Sequence, residues 1–133
     1  MKITKKSKEI NAKLPLKLTT DNFYRLSKED KLIGYAFVDQ APSKTARFDY
    51  LIVFDTALKV KHSKVLIYRE EYGGEIGSKR WLKQFIGKTA GDRVNHETNI
   101  DGIAGATISV RSMTNAIDSL LQSITILQLN QVL

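Results

Sequence analysis

Apolar positions along this chain follow two different rhythms, short β-branched or alternating runs before residue 70 and steps of three and four after residue 105. Residues 23–26 (Phe-Tyr-Arg-Leu) and 32–38 (Leu-Ile-Gly-Tyr-Ala-Phe-Val) flank the polar stretch 27–31, a pattern that predicts two strands joined by a hairpin turn. Residues 40–46, broken by Pro42, read as a loop. Residues 50–54 (Tyr-Leu-Ile-Val-Phe) suit a buried strand, and Asp55-Thr-Ala supplies turn chemistry before two further strand segments at 58–61 and 65–68. The first half is therefore expected to be an antiparallel meander.

After Tyr68 the pattern changes. Gly73, Gly74 and Gly77 open a loop, Ser78 offers an N-cap to a short helix over 79–86, and Gly87 stops it. From Ser109 onward, Met113, Ile117, Leu120, Leu121, Ile124 and Leu127 lie on one helical face. Strands followed by helices, without strand-helix alternation, predict an α+β fold, a curved antiparallel sheet packed by the short helix and a long C-terminal helix.

Composition narrows the function classes. A length of 133 residues, 42% hydrophobic and 26% charged, suits one globular domain and argues against collagen-like, coiled-coil and disordered classes. With no Cys, disulfide frameworks, thiolate metal sites and cysteine nucleophiles are excluded, and the redox compartment stays open. No apolar run approaches the length of a membrane span, and the start lacks the apolar core of a secretory signal, although a signal or anchor removed ahead of residue 1 would leave a leader of this kind. The formal net charge of +7 is mostly terminal, because residues 1–20 carry +5 and residues 21–133 only +2. The chain thus divides into a basic, partly mobile arm over 1–20 and a single domain over 21–133. Such an arm suits an anionic membrane surface or a solvated terminus, and its lack of aromatic residues speaks against nucleic acid.

No catalytic or metal constellation is visible. His62 and His96 stand apart without ligand spacing, and there is no nucleophile elbow, Walker loop or dinucleotide fingerprint. The unusual stretch is 101–109, Asp-Gly-Ile-Ala-Gly-Ala-Thr-Ile-Ser, two Gly and two Ala just before a helix. Small residues there permit close approach to a ligand, and free N–H groups at a helix start favour a phosphate. The same residues also suit a plain helix start, with Thr107 or Ser109 as N-cap and the glycines only turning the chain.

The segment Asp101-Gly-Ile-Ala-Gly-Ala-Thr107 is similar to the Asp-x-x-Ser/Thr-Gly-Ala-Thr signature of the FMN-binding domain family, which includes subunits of sodium-pumping NADH:quinone reductases and of Rnf-type electron-transport complexes. Upstream, Gly73-Gly-Glu-Ile76 followed by Trp81-Leu-Lys-Gln-Phe85 and Gly87-Lys88 resembles a second segment of that family, so the likeness runs from residue 68 to 121. Two departures stand out: Ala104 replaces the family's Ser or Thr, and Glu70-Glu-Tyr72 is shorter than the corresponding stretch of the quinone reductase subunits.

The resemblance implies an electron carrier with FMN held covalently by a phosphoester to Thr107, attached by a separate flavin transferase that uses FAD and magnesium. It implies membrane-associated redox proteins as partners and an extracytoplasmic location, with the cytoplasm as the alternative. Asp101, Gly102, Gly105, Ala106 and Thr107 would form the transferase's recognition sequence. The N–H groups of Ile108 and Ser109 and the hydroxyls of Ser109 and Ser112 suit the phosphate, next to Gly105 and Ala106. Gly73, Gly74 and Glu75 are candidates to approach the flavin ring, with Glu75 alternatively capping the following helix. Trp81 and Tyr72 are ring neighbours or core. A small flavin reductase with non-covalent FMN is the alternative reading, and a cofactor-free binding module is the third.

Overall fold

The computed structural model describes residues 14–16, 18–19, 21–71 and 73–130. Most of the basic arm over 1–20, and Tyr72, lie outside the described residues. Four strands, β1 (Phe23–Lys28), β2 (Lys31–Pro42), β3 (Arg47–Phe54) and β4 (Val60–Ile67), form one antiparallel sheet in the order β1-β2-β3-β4. This is the expected meander. A 3-10 turn (Gly74–Gly77) then leads into α1 (Lys79–Leu82), a second 3-10 turn (Lys83–Phe85) and, after an irregular stretch, α2 (Thr107–Leu129). The fold is α+β, as the two rhythms of the sequence predict.

Boundaries differ from expectation for local reasons. The first hairpin turns on only Glu29 and Asp30, at φ 52° and 64°, a two-residue turn whose twist matches its strands, so the polar residues 27, 28 and 31 join the ladder. β2 runs on through Pro42 because β1 ends opposite Phe37, which leaves β2 beyond residue 38 with β3 as its only strand neighbour. Proline is tolerated at such an end. The segments expected at 58–61 and 65–68 are one strand: Leu58 sits at φ 61° in the turn from Asp55, and residues 62–64 pair with 51–53. The short helix is broken, one α-helical stretch of four residues followed by a 3-10 turn.

β3 alternates between buried and half-buried positions, and Phe48, Tyr50, Ile52 and Phe54 point into the core. Against them packs the apolar face of α2, where Met113, Ile117, Leu120, Leu121, Ile124 and Leu127 are all buried. Burying each such side chain contributes roughly 1.5–3 kcal/mol. Leu14 and Leu18 join the same core, and the Leu16 N–H donates to Ser123 Oγ at 3.0 Å, tying the end of the arm to α2. The irregular stretch before α2 is clamped by Asp118, which accepts two bonds from Arg93, at 2.9 and 2.7 Å, and one from the Val94 N–H.

Candidate functional site

The two motifs of the sequence meet in space. Trp81 is buried and its indole N–H donates to the Asp101 carbonyl at 2.8 Å, while the Asp101 N–H donates to Gln84 Oε1 at 2.8 Å. Trp81 and Gln84 of the Trp-x-x-Gln-Phe segment therefore hold both backbone polar groups of Asp101, and the Asp101 side chain is left exposed. Phe85 packs edge-on against the indole at 5.2 Å. Of the two roles open to Trp81, ring neighbour or core, the structure gives it the core.

The glycine segment is fixed to the same loop. Gly73 has φ 83°, and a Cβ there would lie 2.7 Å from the Ala106 Cβ and 3.0 Å from the Tyr68 hydroxyl. Only glycine lets the turn close on the start of α2. Gly74 borders open space; Glu75, the second residue of the 3-10 turn Gly74–Gly77, is exposed and is not the N-cap of the helix that follows. Ser78 does cap, its Oγ accepting from the Trp81 N–H at 3.2 Å.

α2 starts differently. Its N-cap is Ala106, which offers no side-chain bond, and its first turn carries no acidic residue. Thr107 is the first helical residue, one position past the place from which a hydroxyl caps, so the reading of Thr107 or Ser109 as a simple N-cap does not hold. Thr107 is exposed, and its hydroxyl has no hydrogen-bond partner among the described residues. The Val110 N–H is satisfied by the Ala106 carbonyl. By helix geometry the N–H groups of Thr107, Ile108 and Ser109 have no acceptor within the helix.

The serine hydroxyls expected beside the phosphate have partners within the protein. Ser109 is buried, its Oγ 3.1 Å from the Tyr68 hydroxyl, and Ser112 donates to the Pro42 carbonyl. The backbone N–H groups of Ile108 and Ser109, without acceptors in the helix, are left as the polar groups of the first turn that an anion could meet.

Thr107 stands between two hollows. The larger, about 670 Å³, runs from Gly105, Ala106 and Ile108 across to Tyr68, Arg69, Glu70 and Glu71 and to Lys44 and Thr45. The smaller, about 320 Å³, is lined by His96, Gly102 and Ala104. Lys44, Thr45, Tyr68 and Arg69 carried no signal in the sequence. Glu70 accepts from the hydroxyls of Ser43 and Thr45 and from the Thr45 N–H at 2.7 Å. Those bonds, the Ser43 hydroxyl foremost, hold its carboxyl down to about 2. Arg69 bonds Asp49 at 2.8 Å and the Arg47 carbonyl at 2.8 Å, which lowers Asp49 and leaves Lys44 as the cleft's cation without a carboxylate partner among the described residues.

Such an arrangement presents one free hydroxyl and a set of uncapped N–H groups beside an open cleft. That chemistry suits an anionic group such as a phosphate met at the start of α2, beside the larger hollow. Among the described residues no three His, Asp or Glu side chains gather as a metal site, and no helix is long and apolar enough to cross a membrane. Residues 46–122 match the family model described as FMN-binding domain. No curated protein matches the chain significantly.

Proposed function

The chain belongs to the FMN-binding domain family, and from that premise we propose that it is an electron carrier whose FMN is esterified to Thr107. The observation that carries this reading is the exposed, unpartnered Thr107 hydroxyl at the uncapped start of a 23-residue helix, opening on the larger cleft. The residues present fit the group: Gly73 makes the close contact beneath the helix start, and Tyr68 lines the cleft.

Attachment is a displacement at phosphorus. The Thr107 oxygen would bond to the flavin-side phosphorus of FAD as the anhydride bond breaks and AMP leaves, and the hydroxyl proton would pass to a base of the magnesium-dependent transferase. A diester there would keep one negative oxygen, which the N–H groups of Ile108 and Ser109 and the positive end of α2 would hold. Asp101 and Gly102, exposed beside Thr107, are the residues a transferase would read, along with Gly105 and Ala106. FMN supplies the redox chemistry, and the protein supplies the tether, the anion site and access. A tether removes the dissociation equilibrium, so an open cleft suffices to keep the cofactor within reach of its partners.

On the same reading the domain works extracytoplasmically among membrane redox proteins. Because Leu14 and Leu18 pack in its core, the domain begins ahead of residue 21, and the basic residues that precede Leu14 are the part of the arm that would hold it to an anionic membrane surface. Production with a competent transferase tests the core of the proposal. The protein is expected to gain the mass of FMN less one water and to stay yellow after denaturation and washing. Colour that washes out would favour non-covalent FMN and the reductase alternative, and a mass gain that survives Thr107→Ala would move the anchor elsewhere.

A further inference from the structure

The positive charge of residues 21–133 is segregated. Residues 56–68 and 76–91 contain seven Lys or Arg and no Asp or Glu, whereas the rest of 21–133 holds eight basic against thirteen acidic residues. Folding sets these two basic segments side by side, β4 against the 3-10 turns on either side of α1. Between them lies a groove of about 720 Å³. Lys64, Lys79, Arg80 and Lys83 line it and are exposed, His62 stands beside them, and Val65 and Ile86 add apolar surface over the buried Leu82. Among the described residues none of the four cations has a carboxylate in ion-pair range. Four like charges around one hollow repel each other and attract an acidic ligand.

β4 is one of the sheet's two outer strands. Its start is covered by Gly87 and Lys88, whose backbone bonds Val60 at 2.8 Å in both directions, while residues 62–65 open on the groove. Lysines on an edge strand guard against edge-to-edge pairing. That guard accounts for Lys61 and Lys64 but not for Lys79, Arg80 and Lys83 on the element opposite.

We propose that this groove docks an acidic segment of a protein redox partner. Carboxylates of the partner would meet the four cations, with its apolar side chains on Val65 and Ile86. A hollow accepts a protruding chain segment better than a flat bilayer, and its lining has no Phe, Tyr or Trp, only the single imidazole of His62, where nucleic-acid binding needs a row of stacking rings. Gly77 lines the groove and Gly73, at the other end of the same 3-10 turn, packs on Ala106 beside Thr107. A partner held here stands one turn of chain away from the flavin's anchor. Transient redox complexes use small contacts of this kind, where charge complementarity sets the encounter rate. The partner's redox role rests on the carrier reading above, and its acidic chemistry does not.

The test uses the full chain without cofactor and a fluorescein-labelled peptide of about fifteen residues, half of them Glu, read by anisotropy. Binding is expected at low salt and should weaken about tenfold between ~20 and ~200 mM salt. The triple variant Lys64→Glu/Lys79→Glu/Lys83→Glu should weaken it by a further factor of about ten or more, and the milder Lys64→Gln/Lys79→Gln/Lys83→Gln by about threefold. Arg25→Glu/Lys28→Glu/Lys31→Glu makes the same charge change on the distant hairpin and should cost less than about threefold. Thr107→Ala should bind as the parent does, so loss of the flavin reading and loss of this one are separable. Equal weakening by the groove and hairpin triples, or binding insensitive to salt, overturns the proposal. So does tighter binding to phosphatidylglycerol vesicles that only the groove triples abolish. Thermal melting of each variant confirms that it is folded, and the Gln triple carries the test if the Glu triple is not.

Discussion

The two helices of this domain begin in opposite ways. α1, four residues long, opens with Ser78, whose hydroxyl is consumed in capping the Trp81 N–H. α2, 23 residues long, opens at Ala106 with no side-chain cap, and the hydroxyl that is available sits one residue later and faces solvent. A cap is worth about 1 kcal/mol. The short helix needs it, since four residues cannot sustain themselves, whereas α2 is held by a continuous buried face and stands without one. The difference separates a hydroxyl used for folding from a hydroxyl left over for chemistry.

Thr107→Ala should therefore produce the largest functional effect with almost none on stability. Incorporation of FMN by the transferase is expected to fall to background, measured by intact mass, while the melting free energy stays within about 0.5 kcal/mol of the parent, as for other exposed substitutions. A large loss of stability would mean that the hydroxyl has a structural task after all. Next in size is Gly73→Ala, which must fit a Cβ 2.7 Å from that of Ala106 at φ 83°. It should destabilise by about 1–3 kcal/mol, read from denaturant melts, and slow flavin attachment by displacing the start of α2. An unchanged melt would show that the turn relaxes freely, and the contact between the two motifs would lose its importance.

Much of this architecture was readable in the sequence, and the gaps have identifiable causes. The spacing from Met113 to Leu127 announced α2 because burial of one face imposes the period. Its start was misplaced by two residues because capping rules look for Ser or Thr at the N-cap, and this helix departs from the rule where the chemistry lies. Ser109 and Ser112 looked like phosphate donors on the same local reasoning, but Tyr68 and Pro42, distant in sequence, occupy their hydroxyls. The far wall of the cleft is likewise non-local. Gln40, Asp49 and Ile67 stand in one row across the sheet, so residues 43–46 and 68–71 emerge at the same end. Nothing in either segment alone signals that they will share a cleft with Thr107.

Ser78→Ala sharpens the contrast between the helices at a smaller scale. It should cost about 1 kcal/mol in a denaturant melt and leave flavin attachment at the parent's rate, the reverse of the pattern for Thr107→Ala. If attachment slows in step with stability, the Trp81 bond to Asp101 transmits the loss, and the two helix starts are less independent than their geometry suggests.

The smallest effect belongs to the cleft's outer wall, where Glu70 gathers Ser43 and Thr45. Its folded carboxyl titrates at about 2 against 4.5 for the ordinary group, so in acid the unfolded chain takes up this proton first. The contribution is fully present above about 4.5 and disappears as pH falls toward 2, with no effect near neutrality. Following the Thr45 amide by NMR should show no Glu70-linked shift until the pH is well below 4.5, and Glu70→Gln should flatten the acid limb of the stability profile. A Thr45 amide that titrates at an ordinary carboxyl value would place Glu70 outside the loop it is seen to hold. The cleft would then lose its wall at Lys44 and Thr45 and be bounded by Tyr68, by Arg69 on Asp49, and by the segment leading into α2.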